Sequence, residues 1–344
     1  MGRISVKVRR LVPWALVTAA LAATLVAALG ASAAPSASNA NERISLVTDV
    51  GRLNDRSFNQ LAYEGLLRAE RVLKIRKQVF ESRTPADYTP NLTQGARTNS
   101  DLTIAVGFLL ASDLNAVAKQ FPQRNFAIID FPQEALADKP SNVRGLLFKS
   151  EQAGCLVGHM AVKQLMKERK RPNLSAVGGI KIPSVDSFIA GYRFCAKRAN
   201  RRAVVRIGYS QSFTDAAKCK EIALNHISRG ANVVFQVAGG CGLGALSAAK
   251  QRRKWGIGVD ADQGYLGAHM LTSAVKRVDQ SVYQSIQAVQ NRTFRGGMNA
   301  TFSLKNNGVG YGKVSRKVSA AIKADVQKLR KSIIAGRVKP PAKL

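Results

Sequence analysis

Polar residues of this chain gather where apolar, β-rich runs end. The run at residues 44–49 closes on Asp49 and leads through Gly51, Asn54 and Asp55 to Ser57, Phe58 and Asn59 at a helix start. The run at 102–108 is followed by Ser112 and Asp113, and the run at 203–210 by Phe213, Thr214 and Asp215. The run at 231–239 turns at Gly240, Cys241 and Gly242, and the run at 255–260 ends in Asp260 with Asp262 just beyond. Carboxylates, two aromatic rings and a glycine turn at such positions suit the non-covalent capture of a small molecule. The competing reading is local. Asp, Asn, Ser and Thr cap helices, because their side-chain oxygens accept from unpaired first-turn N–H groups. Capping is the better reading of Asp55, Ser57 and Asp215, whereas Asp49, Asp113 and Asp260 are less easily explained by it.

These residues are positioned by an alternation of strands and helices. After the first run, Phe58, Leu61, Ala62, Gly65, Ala69 and Leu73 recur at helical spacing. Further strand-like runs at 102–108, 125–130, 143–149, 174–180, 203–210, 231–239, 255–260 and 271–276 are mostly separated by helical stretches. Nearly continuous apolar runs, as from Ala231 to Val237, indicate strands buried on both faces of a parallel sheet. The fold class is α/β, in two doubly wound Rossmann-like lobes, because nearly ten strands exceed one ordinary open sheet. Ligands of such sheets bind beyond the carboxyl ends of the strands, where the polar residues above fall. The expected division is 43–146 with 274–297 for the first lobe and 147–273 with 298–336 for the second, with 35–42 as a linker and 337–344 as a basic tail.

The chain has 344 residues, 46% of them hydrophobic, enough for about two domains and unlike a disordered, collagenous or small disulfide-bonded protein. Its 53 Lys and Arg against 21 Asp and Glu give a net charge of +32. The basic residues are spread through every segment without a Lys/Arg block and interleaved aromatics, so no specific nucleic-acid partner is expected. Adhesion to an anionic cell envelope is. Arg3, Lys7, Arg9 and Arg10 precede an apolar run from Leu11 to Leu29 and the small residues Ala31, Ser32 and Ala33, the pattern of a secretory signal over 1–34. An uncleaved anchor stays open as the alternative, since the run nears the roughly 20 residues that span a bilayer. Either way the folded part is expected outside the cytoplasm, as a periplasmic, cell-surface or secreted protein. Loss of residues 1–34 removes four positive charges and leaves +28. No Cys precedes Cys155, so a lipobox cysteine is lacking.

Several of these segments, in the same order, resemble the basic membrane protein family. They are Val47 to Gly51, Asp55 to Gln60, Ser212 to Asp215, Phe235 to Gly242, Gly258 to Gln263 and Ser273 to Arg277, and the resemblance runs from about Ile44 to about Gly312. Members are purine nucleoside receptor A-like substrate-binding proteins of nucleoside ABC transporters, with a type I periplasmic-binding-protein architecture. The resemblance implies a monomeric receptor, not an enzyme and without a cofactor, that takes a nucleoside, by preference a purine, in an interlobe cleft and delivers it to an ABC permease. It implies that Phe58 and Phe213 sandwich the base and that Asn59 and Asp113 read its edge. Ribose would be held by Asp260, the backbone of Gly240 and the ammonium of Lys276, with Asp49 supporting the site. This chain departs from the family pattern in having Arg52 and Leu53 after Gly51, Cys241 where Thr or Ser is usual, and no lipobox.

The alternatives to a nucleoside receptor are a nucleoside hydrolase-type enzyme or a receptor for another small ligand. The hydrolase pattern needs an Asp where Val47 stands and paired acids where Arg52, Leu53 and Asn54 stand, and a calcium ion would lack its oxygen ligands without them. Gly240, Gly242 and Gly244 do not complete a dinucleotide fingerprint, and the leader occupies the place of a DNA-binding helix-turn-helix. Four Cys allow three pairings, of which Cys195 with Cys219 and Cys155 with Cys241 is the expected one. His159, His226 and His269 lack partners at metal-ligand spacing, so no metal site is expected.

Overall fold

Alternating side chains decide the first strand. β1 (Arg43–Thr48) sends Ile44 and Leu46 to one face and Ser45 and Val47 to the other, and all four are buried, as a central strand of a parallel sheet requires. The computed structural model describes residues 42–344. From β1 the chain runs through α1 (Phe58–Leu73), β2 (Arg76–Phe80), α2 (Tyr88–Arg97), β3 (Leu102–Val106), α3 (Ala111–Gln120), β4 (Phe126–Ile129) and β5 (Val143–Phe148). It then crosses into α4 (Ser150–Lys167), β6 (Asn173–Gly178), α5 (Pro183–Ala199), β7 (Val204–Tyr209), α6 (Ala216–Ser228), β8 (Val233–Val237), α7 (Gly242–Gln251), β9 (Trp255–Asp260) and β10 (Met270–Lys276). It returns with α8 (Val278–Gln290) and β11 (Met298–Phe302), and crosses a third time to β12 (Val309–Tyr311) and α9 (Ala320–Ile334).

The result is two six-stranded sheets. The first, in order β11-β5-β4-β3-β1-β2, is parallel throughout. The second, in order β12-β10-β9-β8-β6-β7, is parallel except for the antiparallel pair of β10 and β12. Each is covered on both faces. Ile44, Leu46, Ile104 and Leu146 meet α1 and α8 through Leu66, Val282 and Ile286, while Val47, Ala105 and Ile128 meet α2 and α3 through Leu92, Leu114 and Val117. Burying each such aliphatic side chain contributes roughly 1.5–3 kcal/mol, which makes the sheets the rigid part of the molecule. Among the described residues no helix is long and apolar enough to cross a membrane. The leader read over residues 1–34 and most of the 35–42 linker lie outside the described residues.

Sheet membership moves the lobe boundaries. All of β5 belongs to the first sheet, all of β10 to the second, and β11 to the first, so residues 147–148 and 274–276 change sides and 298–302 are not part of the second lobe. The parallel pairing of β11 with β5 is the physical reason, reinforced by Asn299, whose Oδ1 accepts from the backbone N–H of Gln133 at 2.8 Å. β2, β11 and β12 escape pattern reading because they are short or polar: β12 has three residues, and those of β2 are Arg-Lys-Gln-Val-Phe, none fully buried. The tail is not wholly free either, since Val338 packs into the second core.

The cysteine pairing also needs correction. Cys155 on α4 is bonded to Cys195 on α5, and Cys219 on α6 to Cys241 at the start of α7, with Cα atoms 4.8 and 5.7 Å apart. Cys155 and Cys195 belong to the core on one face of the second sheet, and Cys219 and Cys241 to the core on the other, so the sheet itself separates the partners of the expected pairing. Two of the three histidines are held by structural contacts: His226 Nδ1 lies 2.7 Å from Ser175 Oγ in the core, and His159 Nε2 lies 2.9 Å from Asp325 Oδ2.

The disulfides close loops spanning 40 and 22 residues. Replacing either pair by serines is expected to lower the unfolding free energy by about 3–4 kcal/mol, read by denaturant titration of the fluorescence of Trp255, which packs in the same lobe. Loss of less than about 1 kcal/mol for both would show that the bridges do not restrain the unfolded chain.

Candidate functional site

Reversals of strand order set the location. In the first sheet the order turns between β1 and β3, and in the second between β6 and β8. Helices leave to opposite faces at such a reversal, and the carboxyl ends of the two strands splay to leave a crevice. The two crevices form one cavity. Asp49 after β1, Gly107 after β3 and Asp130 after β4 line it from the first lobe, and Val237 to Gly239 after β8, Asp260 ending β9 and Lys276 ending β10 from the second. Non-protein space within it is about 580 Å³, open solvent at its mouth included.

Aromatic rings supply its flat walls. Phe58 at the first residue of α1 and Phe213 in the loop before α6 both line the cavity, one from each lobe. Each ring rests on a glycine. A Cβ at Gly107, whose φ is +119°, would lie 3.2 Å from the Phe58 ring and 3.2 Å from Asp49 Oδ2. A Cβ at Gly179 would lie only 2.4 Å from Cδ1 of Phe213. Side chains at these two positions would push the rings into the cavity.

Charge is the other feature. Four carboxylates, Asp49, Asp55, Asp130 and Asp260, line the cavity with the single ammonium of Lys276. Asp55 accepts from the backbone N–H groups of Ser57, Asn59 and Gln60 at 2.9, 2.8 and 3.1 Å and so serves the open first turn of α1. Asp130 pairs with Lys276, which is 2% exposed and lies over the Phe58 and Phe148 rings at 4.7 and 5.0 Å from their centroids. Asp49 accepts from Gly51 N and Asn59 Nδ2 at 2.8 and 2.7 Å, yet burial still pushes its carboxyl up to about 6. Asp260, with φ +59°, accepts from Ser57 Oγ at 2.8 Å. Burial raises it to about 6 against the opposing pull of Lys276 and Ser57. Asn59 spends its amide N–H on Asp49 and Asp55 and leaves its buried Oδ1 without a partner.

Six of the residues singled out in the sequence thus meet: Asp49, Phe58, Asn59, Phe213, Asp260 and Lys276. Asp113 does not join them. A 3₁₀ turn at Phe108–Leu110 follows β3 and takes the lining positions, so Asp113 falls in the first turn of α3, where it accepts from Thr89 Oγ1. Gly240 gives way to Gly239 as the lining residue and sits between the Phe213 carbonyl and the Cα of Asp55. Asp215 caps α6 as expected, accepting from Ala217 N and Lys218 N. Ser57 makes no cap; its hydroxyl reaches Asp260 in the other lobe. Asp130 was missed although it follows a strand, and Phe188 was missed because an apolar residue in a helix carries no signal of lining a cleft. Among the described residues no group of three or more His, Cys, Asp or Glu is placed to hold a metal.

Comparison with known proteins agrees with this architecture. A family model described as ABC transporter substrate-binding protein PnrA-like matches residues 42–343. An ABC transporter nucleoside-binding protein of Lactococcus lactis subsp. cremoris is 33% identical over 323 residues, covering 88% of this chain and 89% of its own. A CD4+ T-cell-stimulating antigen of Listeria monocytogenes is 32% identical over 322 residues, covering 87% and 88%. The crystal structure of an ABC transporter system solute-binding protein from Aeropyrum pernix superimposes with a TM-score of 0.79 at 26% identity, over 87% of this chain and 94% of that one. The chain belongs to the PnrA-like (Bmp) family of ABC transporter substrate-binding proteins and is not an enzyme.

The raised carboxyls of the cavity, Asp49, Asp260 and, by the same burial, Asp55, predict a pH dependence. Folded, Asp49 and Asp260 titrate at about 6, against 3.8 for an ordinary aspartate. The folded state binds more protons between those values, so their contribution to stability is complete below the lower value and lost as pH rises through the upper. The unfolding midpoint measured without ligand should therefore carry a term that falls between about pH 4 and about pH 7, and Asp260→Asn should make that fall shallower. An identical pH profile for Asp260→Asn would show that this carboxyl titrates normally.

Proposed function

We propose that this substrate-binding protein works outside the cytoplasm as a monomer, takes a purine nucleoside into the interlobe cavity and hands it to an ABC permease. The observation that carries the reading is the pairing of Phe58 and Phe213, one ring from each lobe, in a cavity otherwise rich in carboxylates. Stacking a base on an aromatic face contributes roughly 1–3 kcal/mol. Sugar hydroxyls suit Asp260, because a carboxylate accepts from two neighbouring O–H groups and such charge-assisted bonds are strong. The orphaned Asn59 Oδ1 offers an acceptor to an N–H of the base, with Asp49 beside it. Four acids against one cation favour a neutral ligand rich in donors over its phosphate esters, whose charge the cavity would repel. The Lactococcus relative, by its name, binds nucleosides.

Closure completes the site. Ser57 Oγ to Asp260, Gln263 Nε2 to the Arg56 carbonyl at 3.2 Å and the Lys276–Asp130 pair all join one lobe to the other. Rotation about the three crossings, at Lys149, Arg277 and residues 303–308, would break them together and part the two rings. A permease that recognises the closed form therefore receives loaded receptor.

Calorimetric titration with nucleosides, free bases and ribose tests the reading. Purine nucleosides should bind one to one, free bases weakly and ribose barely; silence across the panel would sink it. Phe213→Ala should weaken nucleoside binding by about tenfold to a hundredfold. Asp260→Ala should weaken nucleosides far more than free bases, and equal losses would remove Asp260 from the ribose. Nucleoside affinity should also rise with pH through about 6 as Asp260 ionises, a rise that Asp260→Asn should lack.

A further inference from the structure

α5 joins the ligand cavity to a second concavity. Ser184, Val185 and Phe188 near its start line the cavity, whereas Arg193, Phe194, Lys197 and Arg198 near its end, with Arg201 just beyond and Pro341 from the tail, line an open groove. Arg193 and Lys197 stand one helical turn apart, about 6 Å along the axis, and Arg201, past the extended Asn200 that ends α5, lines the same groove. No acidic residue lines the groove, and none of its four cations forms a salt bridge among the described residues. The one acid of α5, Asp186, lies at the other end, held by Lys181 Nζ at 2.6 Å and by the Tyr209 hydroxyl. Like charges gathered without counterions repel one another, and an anion in the groove relieves that repulsion.

We propose that this groove binds a linear phosphate-bearing polyanion of the cell envelope and fixes the receptor there while its cleft stays free. Successive cations along a groove match successive phosphates along a chain. A bilayer fits less well, because the cations line a concavity and a bilayer presents a flat face. Phe194 and Pro341 suit the carbon segments between phosphates. The inference stands whether or not the cleft takes a nucleoside.

The probe is long-chain inorganic polyphosphate, titrated against the protein at several salt concentrations. Arg193→Gln/Lys197→Gln/Arg201→Gln should weaken binding at least tenfold and lower the dependence of log affinity on log salt by about two to three. Lys250→Gln/Lys323→Gln/Lys328→Gln, which removes the same charge from exposed sites outside the groove, should weaken it less than about threefold. Unchanged thermal midpoints for both variants would show that each is folded. Equal losses in the two variants would reduce the effect to diffuse charge and overturn the proposal. Displacement of polyphosphate by equimolar monophosphate would make this a site for a single anion, and tighter binding to phosphatidylglycerol vesicles at equal phosphate would make it a membrane contact; either overturns the polymer assignment.

Discussion

The cleft is organised around an excess of buried negative charge. A buried ionised carboxylate is costly unless hydrogen-bonded or paired, and four of them share this cavity with one ammonium. The protein meets the demand unevenly. Asp55 draws three backbone N–H groups from the start of α1 and Asp130 takes Lys276, yet burial keeps the carboxyls of Asp49, Asp55 and Asp260 raised despite their partners. What they lack is a further donor, and a ligand with O–H and N–H groups supplies it. On the proposed reading, a donor-rich ligand would relieve that shortage.

Loop geometry ties this site to the second lobe's cross-links. The backbone N–H of Cys241 donates to the Phe213 carbonyl at 2.8 Å, and Gly239 and Gly240 immediately precede it. The Cys219–Cys241 bridge therefore anchors the glycine turn on one side of the cavity and, through that hydrogen bond, the loop carrying one of its two aromatic walls. Across the cleft, Phe58 and Asn59 sit on the first turn of α1, which Asp55 holds in place. Both walls are consequently fixed within their own lobes, and closure changes only the distance between them.

Charge is also divided in space. The chain has only 21 acidic residues, and four line one cavity, so the remaining surface is strongly basic. An acidic cavity and a basic exterior coexist because each charge acts over about 8–10 Å at physiological salt, less than the span from the start of α5 to its end. α5, with its first turns at the cleft and its last turn at the basic groove, joins the two environments without mixing them.

Periodicity within single segments was enough to specify the α/β class, the two lobes and the strand-end positions of Asp49, Phe58, Asn59, Phe213 and Asp260, while Lys276 was legible only through the family resemblance. Each of those depends on a residue and its near neighbours in the chain. Tertiary structure decided the rest. It inserted a 3₁₀ turn that carried Asp113 out of the cleft, added β11 to the first sheet, and put the second sheet between Cys195 and Cys219. It also turned the Ser57 hydroxyl from its own helix to Asp260 and set Asp130 against Lys276. These outcomes rest on which elements lie beside one another, set by packing between residues up to some 200 positions apart, and no local spacing encodes such a distance.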